Sequence, residues 1–379
     1  LQAPNDSDSR WPNLLRFEIV LDIVQRGIPA LLTSIPQLMG TANTLTLDTN
    51  SPDYRGDLYS ADAVRRFPSS QYDLGLDIFA SFLEFMTRDS GYVEYGLSTN
   101  EPAVQPGYGC DGSQWLRQPS LFVFPYDWRK SNSESASLLG HYIDCIRKFY
   151  PETKVDIVAH SMGGLVARRY ILDQTGSGQP QTVRKLITIA TPWLGAPKFI
   201  YALETGAIDA NFNLLISPAQ TRSLVATYPG AHELLPSRRY HDVAAAPFQE
   251  LGWDFDESGI DTENYSYDHL RAVLNQRYST SPGETADRFH ANPGQDDWSG
   301  DNSGVEYHYI IGRQSQPATI THVVATKKLT CMRGGCRYQF TLRPIYEYGD
   351  GTVPLASARR SAPDASPDGN VTLHEMRSY

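Results

Sequence analysis

The stretch Ala159-His160-Ser161-Met162-Gly163-Gly164 carries the strongest chemical signal in the chain. It follows the apolar run Val155-Asp156-Ile157-Val158. It precedes Leu165-Val166-Ala167-Arg168-Arg169-Tyr170-Ile171, which reads as a helix. A serine on a sharp turn between strand and helix is a nucleophile elbow. Its hydroxyl stands clear at the end of the sheet, and the N–H of the next residue, here Met162, points at a developing oxyanion. Strand and helix pass close together there, so the positions two before and two after the serine must be small. Gly163 fills one, and Ala159 fills the other in place of the usual glycine. His160 reads as a structural residue of the turn.

A serine is a weak nucleophile at neutral pH. It needs a histidine base, and the base needs a carboxylate that fixes its tautomer. Asp350 lies in Tyr348-Gly349-Asp350-Gly351-Thr352-Val353-Pro354, a glycine-flanked turn after an apolar strand, and is the expected acid. His374 is the one histidine that follows Asp350. It is the candidate base, although its neighbours place it inside a strand rather than on the loop beyond one. The alternative is a base beyond Tyr379.

The elements that must position these groups alternate from residue 120 onward. Strands are expected at Leu121–Phe124, Val155–Ala159, Leu186–Ala190, Tyr307–Ile311 and Val371–His374. Helices are expected over Ser133–Tyr150, capped by Ser133 or Ser135, and from the elbow to about Gly176. Continuous apolar strands alternating with helices predict an α/β fold with a mostly parallel sheet covered by helices. Residues 1–110 are irregular, with helical spacing over Leu14–Leu32 and Leu76–Met86. The β/α rhythm lapses over 203–300, where Tyr, Asp, Asn and Pro abound. That pattern predicts an α/β sheet core over 1–202 and 301–379, with 203–300 inserted as a lid or cap.

A net charge of −10 argues against nucleic acid or an anionic membrane as the main partner. It leaves a neutral lipid surface open, and Lys327-Lys328 reads as a solvated turn rather than a lipid-binding patch. No apolar run reaches the roughly 18 residues of a membrane span. Four cysteines are present, Cys110, Cys145, Cys331 and Cys336. Cys331-Met-Arg-Gly-Gly-Cys336 reads as a small disulfide loop on a hairpin. Cys145 either pairs with Cys110 or is a buried thiol in a helix. With sequons at Asn5, Asn264 and Asn370, the cysteines favour a secreted or lumenal setting. No metal or cofactor is implied.

Four ordered blocks resemble the lecithin:cholesterol acyltransferase-like family of α/β-hydrolases, which includes lysosomal phospholipase A2 and phospholipid:diacylglycerol acyltransferase. They are Phe124-Pro125-Tyr126-Asp127-Trp128-Arg129, the elbow, Thr191-Pro192-Trp193-Leu194-Gly195-Ala196-Pro197, and residues 349–354. The resemblance implies an α/β-hydrolase fold with Ser161 as nucleophile and Asp350 as acid, and it places Trp193 near the acyl pocket. On composition alone, Trp193 could equally cap a core, and Asp127 with Arg129 could brace the loop beside the site. The family also carries an upstream turn supplying a second oxyanion N–H, which is not found before residue 110. The family histidine follows the last strand. Both departures lie at the ends, so the chain reads as a fragment or a trimmed chain. The expected activity is a serine hydrolase or acyltransferase acting on lipid esters through an acyl-serine intermediate. The alternatives are an esterase of a non-glycerolipid ester such as an acylated inositol, or a catalytically incomplete lipid-binding member of the fold.

Overall fold

The structure, a computed structural model, describes residues 45–52, 79–95, 119–148, 150–207, 217–244, 267–332, 335–362, 366 and 371–377. The Leu14–Leu32 pattern, Cys110, the segment Phe212–Ile216 and the three sequons lie outside the described residues. The chain divides into two compact units. One comprises Leu1–Trp128, Glu134–Thr153 and Asp209–Gln220; the other comprises Arg129–Ser133, Lys154–Ile208 and Thr221–Tyr379.

In the first unit, α1 (Ala80–Glu84) runs into a π-helical turn over Phe85–Asp89. Of the helix expected over Leu76–Met86, residues 76–78 lie outside the described residues, and its last two residues fall in the π-helical turn. Leu121–Phe124 is extended but forms no strand: Leu121 alone makes a parallel bridge, to Glu94. Its aromatic rings pack instead, Phe122 on Tyr95 at 5.5 Å and Phe124 on Tyr142 at 5.6 Å.

Helix α2 (Asn132–Ile146) starts upstream of both predicted caps. The reason is not local. The Asn132 N–H donates to Glu233 Oε2 at 2.6 Å, so a carboxylate 101 residues away does the work expected of a serine. Cys145 near its end is disulfide-bonded, which settles its two readings against the buried thiol.

The second unit holds β1 (Val155–His160), α3 (Gly163–Gly176), β2 (Val183–Ile189) and α4 (Lys198–Thr205). The span 203–300 carries no strand among its described residues. It supplies α5 (Pro218–Val225), α6 (Pro229–His232), α7 (Arg238–Val243), α8 (Tyr267–Arg277) and α9 (Pro282–His290). Then follow β3 (Glu306–Arg313), β4 (Thr319–Met332), β5 (Gly335–Glu347), α10 (Leu355–Arg359) and β6 (Val371–Arg377).

Strands β1, β2, β3 and β6 form one sheet in that order, every pair parallel. Strands β4 and β5 form a separate antiparallel hairpin, with Cys331 and Cys336 in register across its tip. Lys327 and Lys328 lie within β4 and not in a turn, because the strand runs past them to Met332.

Period-two alternation fixes the two sheet faces. Ala159, Leu186, Tyr307 and Tyr309 are buried on the face where α3 packs against β1 and β2, and α10 against β3. Leu165, Ile171 and Leu186 are each fully buried there and contribute about 2 kcal/mol apiece. The other face carries His308 and His374, and Val158, which is 44% exposed.

The buried face ends in an arginine-aromatic cluster. Arg168 of α3, 0% exposed, donates from Nε and Nη2 to Gly294 O at 3.1 and 2.8 Å and from Nη1 to Tyr307 Oη at 2.6 Å. It pairs with Asp301 at 3.3 Å and lies 3.8 Å over the Trp298 ring, while the Arg360 guanidinium lies 4.0 Å over the same ring. The helix behind the elbow thereby holds residues 294–301 on the sheet. Arg168→Met removes the charge and strands Asp301 and the Gly294 carbonyl. It is expected to cost about 3 kcal/mol in urea unfolding. Arg168→Lys, which lacks the planar fork, is expected to recover less than half of that. A loss under about 1 kcal/mol for Arg168→Met would show that the cluster does not hold this loop.

Candidate active site

Ser161 sits at the carboxyl end of β1 with φ of 53°, the left-handed region that a non-glycine residue adopts only under constraint. Such a position costs on the order of 1–3 kcal/mol and marks functional turns. Neighbours hold it there. Its N–H donates to Ile189 O at 2.8 Å, and its carbonyl accepts the Gly164 N–H at 3.0 Å. The Ser161 hydroxyl makes no hydrogen bond to the described residues, and no acceptor among them takes the Met162 N–H.

Small residues were expected at Ala159 and Gly163. The structure adds Gly164, where a Cβ would lie 2.2 Å from Thr191 Oγ1. The second glycine lets helix and strand end meet.

Asp350 stands beyond the carboxyl end of β3. It is fitted against Gly312, where a Cβ would come 2.8 Å from its own. One oxygen, Oδ1, accepts the N–H groups of Thr352 at 2.8 Å and Val353 at 2.7 Å. This is an Asx-type turn that fixes the carboxylate. Gly351, at φ of 99°, closes the turn and donates to Thr319 Oγ1 at 2.7 Å. The second oxygen takes no hydrogen bond from the described residues. Ser161 N–H bonds the last residue of β2, and Ala190, the residue just after β2, bonds β3. Ser161 and Asp350 therefore stand two strand spacings apart, roughly 10 Å, on one edge of the sheet. That span has room for one imidazole.

His374 is not brought to this point. It lies inside β6, in the register row His160, Ile189, Ile310, His374, three strand spacings (roughly 14 Å) from β1. Its Nε2 is 3.3 Å from His308 Nδ1, and His308 Nε2 is 2.6 Å from Glu306 Oε1. Among the described residues no histidine is hydrogen-bonded to Ser161 or to Asp350. His160 beside the serine has its pKa lowered by burial of the ring, with the charge of Asp350 pulling the other way.

Trp193 is 1% exposed and packs on Trp298 at 5.1 Å and Tyr309 at 5.0 Å. That packing fits the core-capping reading. Asp127 and Arg129 are both buried, as loop-bracing residues would be.

Two adjacent buried groups set the pH response of this unit. Burial raises the Glu233 pKa to about 7, against the Asn132 N–H bond and the His290 charge. Burial lowers the His232 pKa to about 4, against hydrogen bonds to the Val225 and Ala226 carbonyls. The signs oppose. The folded state binds the Glu233 proton more tightly than the unfolded chain, so that group's contribution is full below about 4.5 and lost as pH rises through 7. His232 is held neutral, so its contribution is full above about 6.5 and lost as pH falls towards 4. Their two contributions largely offset each other between pH 4 and 7. Glu233→Gln is expected to unmask an acid-side loss on the order of 2 kcal/mol between pH 7 and 4. A pH series of thermal melts checks this, and an unchanged profile contradicts it.

The parallel sheet with a strained serine elbow at a strand's carboxyl end, and a fixed carboxylate two strands along, defines an α/β-hydrolase fold. Residues 114–298 match the family model of lecithin:cholesterol acyltransferase. The bovine lysosomal phospholipase A and acyltransferase is 32% identical over 113 residues, covering 27% of this chain and 26% of that protein. The Arabidopsis thaliana lecithin-cholesterol acyltransferase-like 4 is 30% identical over 122 residues, 31% of this chain and 23% of the relative. The chicken phosphatidylcholine-sterol acyltransferase is 23% identical over 158 residues, 40% and 34% of the two chains. These matches make the chain similar to the lecithin:cholesterol acyltransferase-like family over its middle part, and they span about a quarter to a third of the relatives' length. A chain of the solved Tle4–Tli4 complex aligns with a TM-score of 0.46 at 19% identity, over 67% of this chain and 61% of that one, a likeness too slight to carry an argument.

Sequence reasoning missed Thr191 and Gly312 as supports of the site, and it missed Glu233 and the Arg168–Trp298–Arg360 cluster as parts of the surrounding scaffold. Gly312 had a signal, since a glycine ending an apolar strand marks a close approach. The others depend on contacts between residues far apart in sequence.

Proposed function

We propose that the chain is a serine esterase, phospholipase or O-acyltransferase of lipid esters. Ser161 Oγ attacks the acyl carbonyl, and its proton passes to an imidazole held between it and the open oxygen of Asp350. The Met162 N–H stabilises the oxyanion. The tetrahedral intermediate then expels the alcohol, which takes the proton from the imidazolium and leaves an acyl-Ser161. Water or a second alcohol then accepts the acyl group, giving hydrolysis or transfer.

The observation that carries this reading is the Ser161 turn itself. A strained non-glycine residue has an unengaged hydroxyl beside an untaken N–H. The names of the relatives, phospholipase and acyltransferase, support a lipid acyl donor. The helical span 203–300 fits the role of a lid over the ester. A secreted or lumenal setting agrees with the Cys145 disulfide and with a lysosomal relative.

The test is labelling of the full-length protein with a fluorophosphonate probe, read by mass spectrometry of the Ser161 peptide. Stoichiometric adduct on Ser161 is expected. A folded protein that takes no label overturns the proposal and leaves the lipid-binding reading, which fatty-acid binding without turnover would establish.

A further inference from the structure

We infer that Thr191 is a positioning residue that aims the oxyanion donor, an inference that rests on the nucleophile reading above. The Ser161 carbonyl and the Met162 N–H are the two ends of one trans peptide plane, so they point in opposite directions. Whatever holds the oxygen aims the hydrogen. Two groups hold it: the Gly164 N–H at 3.0 Å and the Thr191 hydroxyl, which donates at 2.9 Å. The first is the opening turn of α3 and would form with almost any sequence. The second comes from 30 residues away, off the turn that ends β2.

That turn is shaped for the purpose. Ala190 is a second non-glycine residue at φ of 53°, pinned by its N–H to Ile310 O at 2.9 Å. The Thr191 carbonyl accepts the Trp193 N–H at 3.0 Å. Thr191 is 2% exposed, so it touches no substrate, and the missing side chain of Gly164 is what admits its hydroxyl. The same strand end takes the Ser161 N–H through Ile189 O. The planes on both sides of the nucleophile are thus set by residues 189–191. A hydrogen bond to the carbonyl also polarises its peptide and makes the Met162 N–H a stronger donor.

Thr191→Val keeps the shape and removes the hydroxyl; Thr191→Ser keeps the hydroxyl. In the full-length protein, Thr191→Val is expected to lower kcat for a short acyl ester by about 10-fold, a fraction of the loss from deleting a donor outright. KM should stay within about twofold, and fluorophosphonate labelling should slow in parallel. Thr191→Ser should stay within about twofold of the parent in both. A Thr191→Val protein that melts lower yet keeps its kcat would show a brace and nothing more, and overturns the inference. If the parent neither labels nor turns over, it is the nucleophile reading that fails. Crystal structures then decide for Thr191. A Ser161–Met162 peptide rotated in the valine variant and kept in the serine variant supports it, and one unchanged in both overturns it.

Discussion

Ser161→Gly is expected to abolish ester turnover, by on the order of 10⁵-fold or more, while making the fold more stable. The two effects share one cause. The left-handed turn at φ of 53° aims the hydroxyl, and any residue with a Cβ is strained there. Glycine releases the strain, and part of the gain is returned because glycine has more conformational freedom to lose on folding. The net gain is about 1 kcal/mol in urea unfolding. Ser161→Ala separates the two: it removes the nucleophile and keeps the strain, so turnover falls as far while stability moves by less than about 0.5 kcal/mol. Turnover that survives in the alanine variant would remove Ser161 from the chemistry. A glycine variant less stable than the parent would mean that the turn is not strained.

Local patterns made the strand, turn and helix around Ser161 legible and left their scaffolding hidden. The order apolar run, small–His–Ser–Met–Gly, helical run is local, and β1 and α3 form where it says. The Asp350 turn was legible because a glycine-flanked aspartate closes such a turn with its own neighbours. Leu121–Phe124 misled because a short apolar run looks the same as a paired strand and as an extended segment packed by its rings. The start of α2 misled because its cap is Glu233, and no window of sequence contains both. The packing of Trp193 is not legible locally, because its neighbour Trp298 lies more than 100 residues away in the chain. Thr191 was quoted only as the first residue of a motif. Its contact with the Ser161 carbonyl exists only once β1 and β2 are paired.

The strand edge also explains why serine and acid come from distant segments. In a parallel sheet every strand ends on the same side, so loops after β1, β2 and β3 converge without any local code linking them. β1 ends at Ser161, β2 leads into the turn that holds its carbonyl, and β3 carries the glycine against which Asp350 packs. The hairpin β4–β5 separates β3 from Asp350 in sequence. The bonds from Gln314 N–H to Gly349 O and from Gly351 N–H to Thr319 Oγ1 bring the chain back to where it left.

Asp350→Asn follows from that arrangement as a loss of activity without a loss of structure. In the parent, Oδ1 accepts both turn N–H groups and the other oxygen takes no hydrogen bond from the described residues. An asparagine carbonyl accepts the same two bonds, so the turn persists and the melting temperature should stay close to the parent's. What changes is the open end, where a carboxylate oxygen that accepts an imidazole N–H becomes an amide that donates. The histidine is then held in the wrong tautomer, and nothing offsets the imidazolium charge in the transition state. The expected fall in kcat is about 10³- to 10⁴-fold. Asp350→Ala loses the same activity and also frees the Thr352 and Val353 N–H groups, adding a stability cost of about 1–2 kcal/mol. The pair therefore reads the two jobs of one side chain separately. An asparagine variant with the parent's kcat would reduce Asp350 to a turn former and require the acid of the triad to be sought elsewhere on the strand edge.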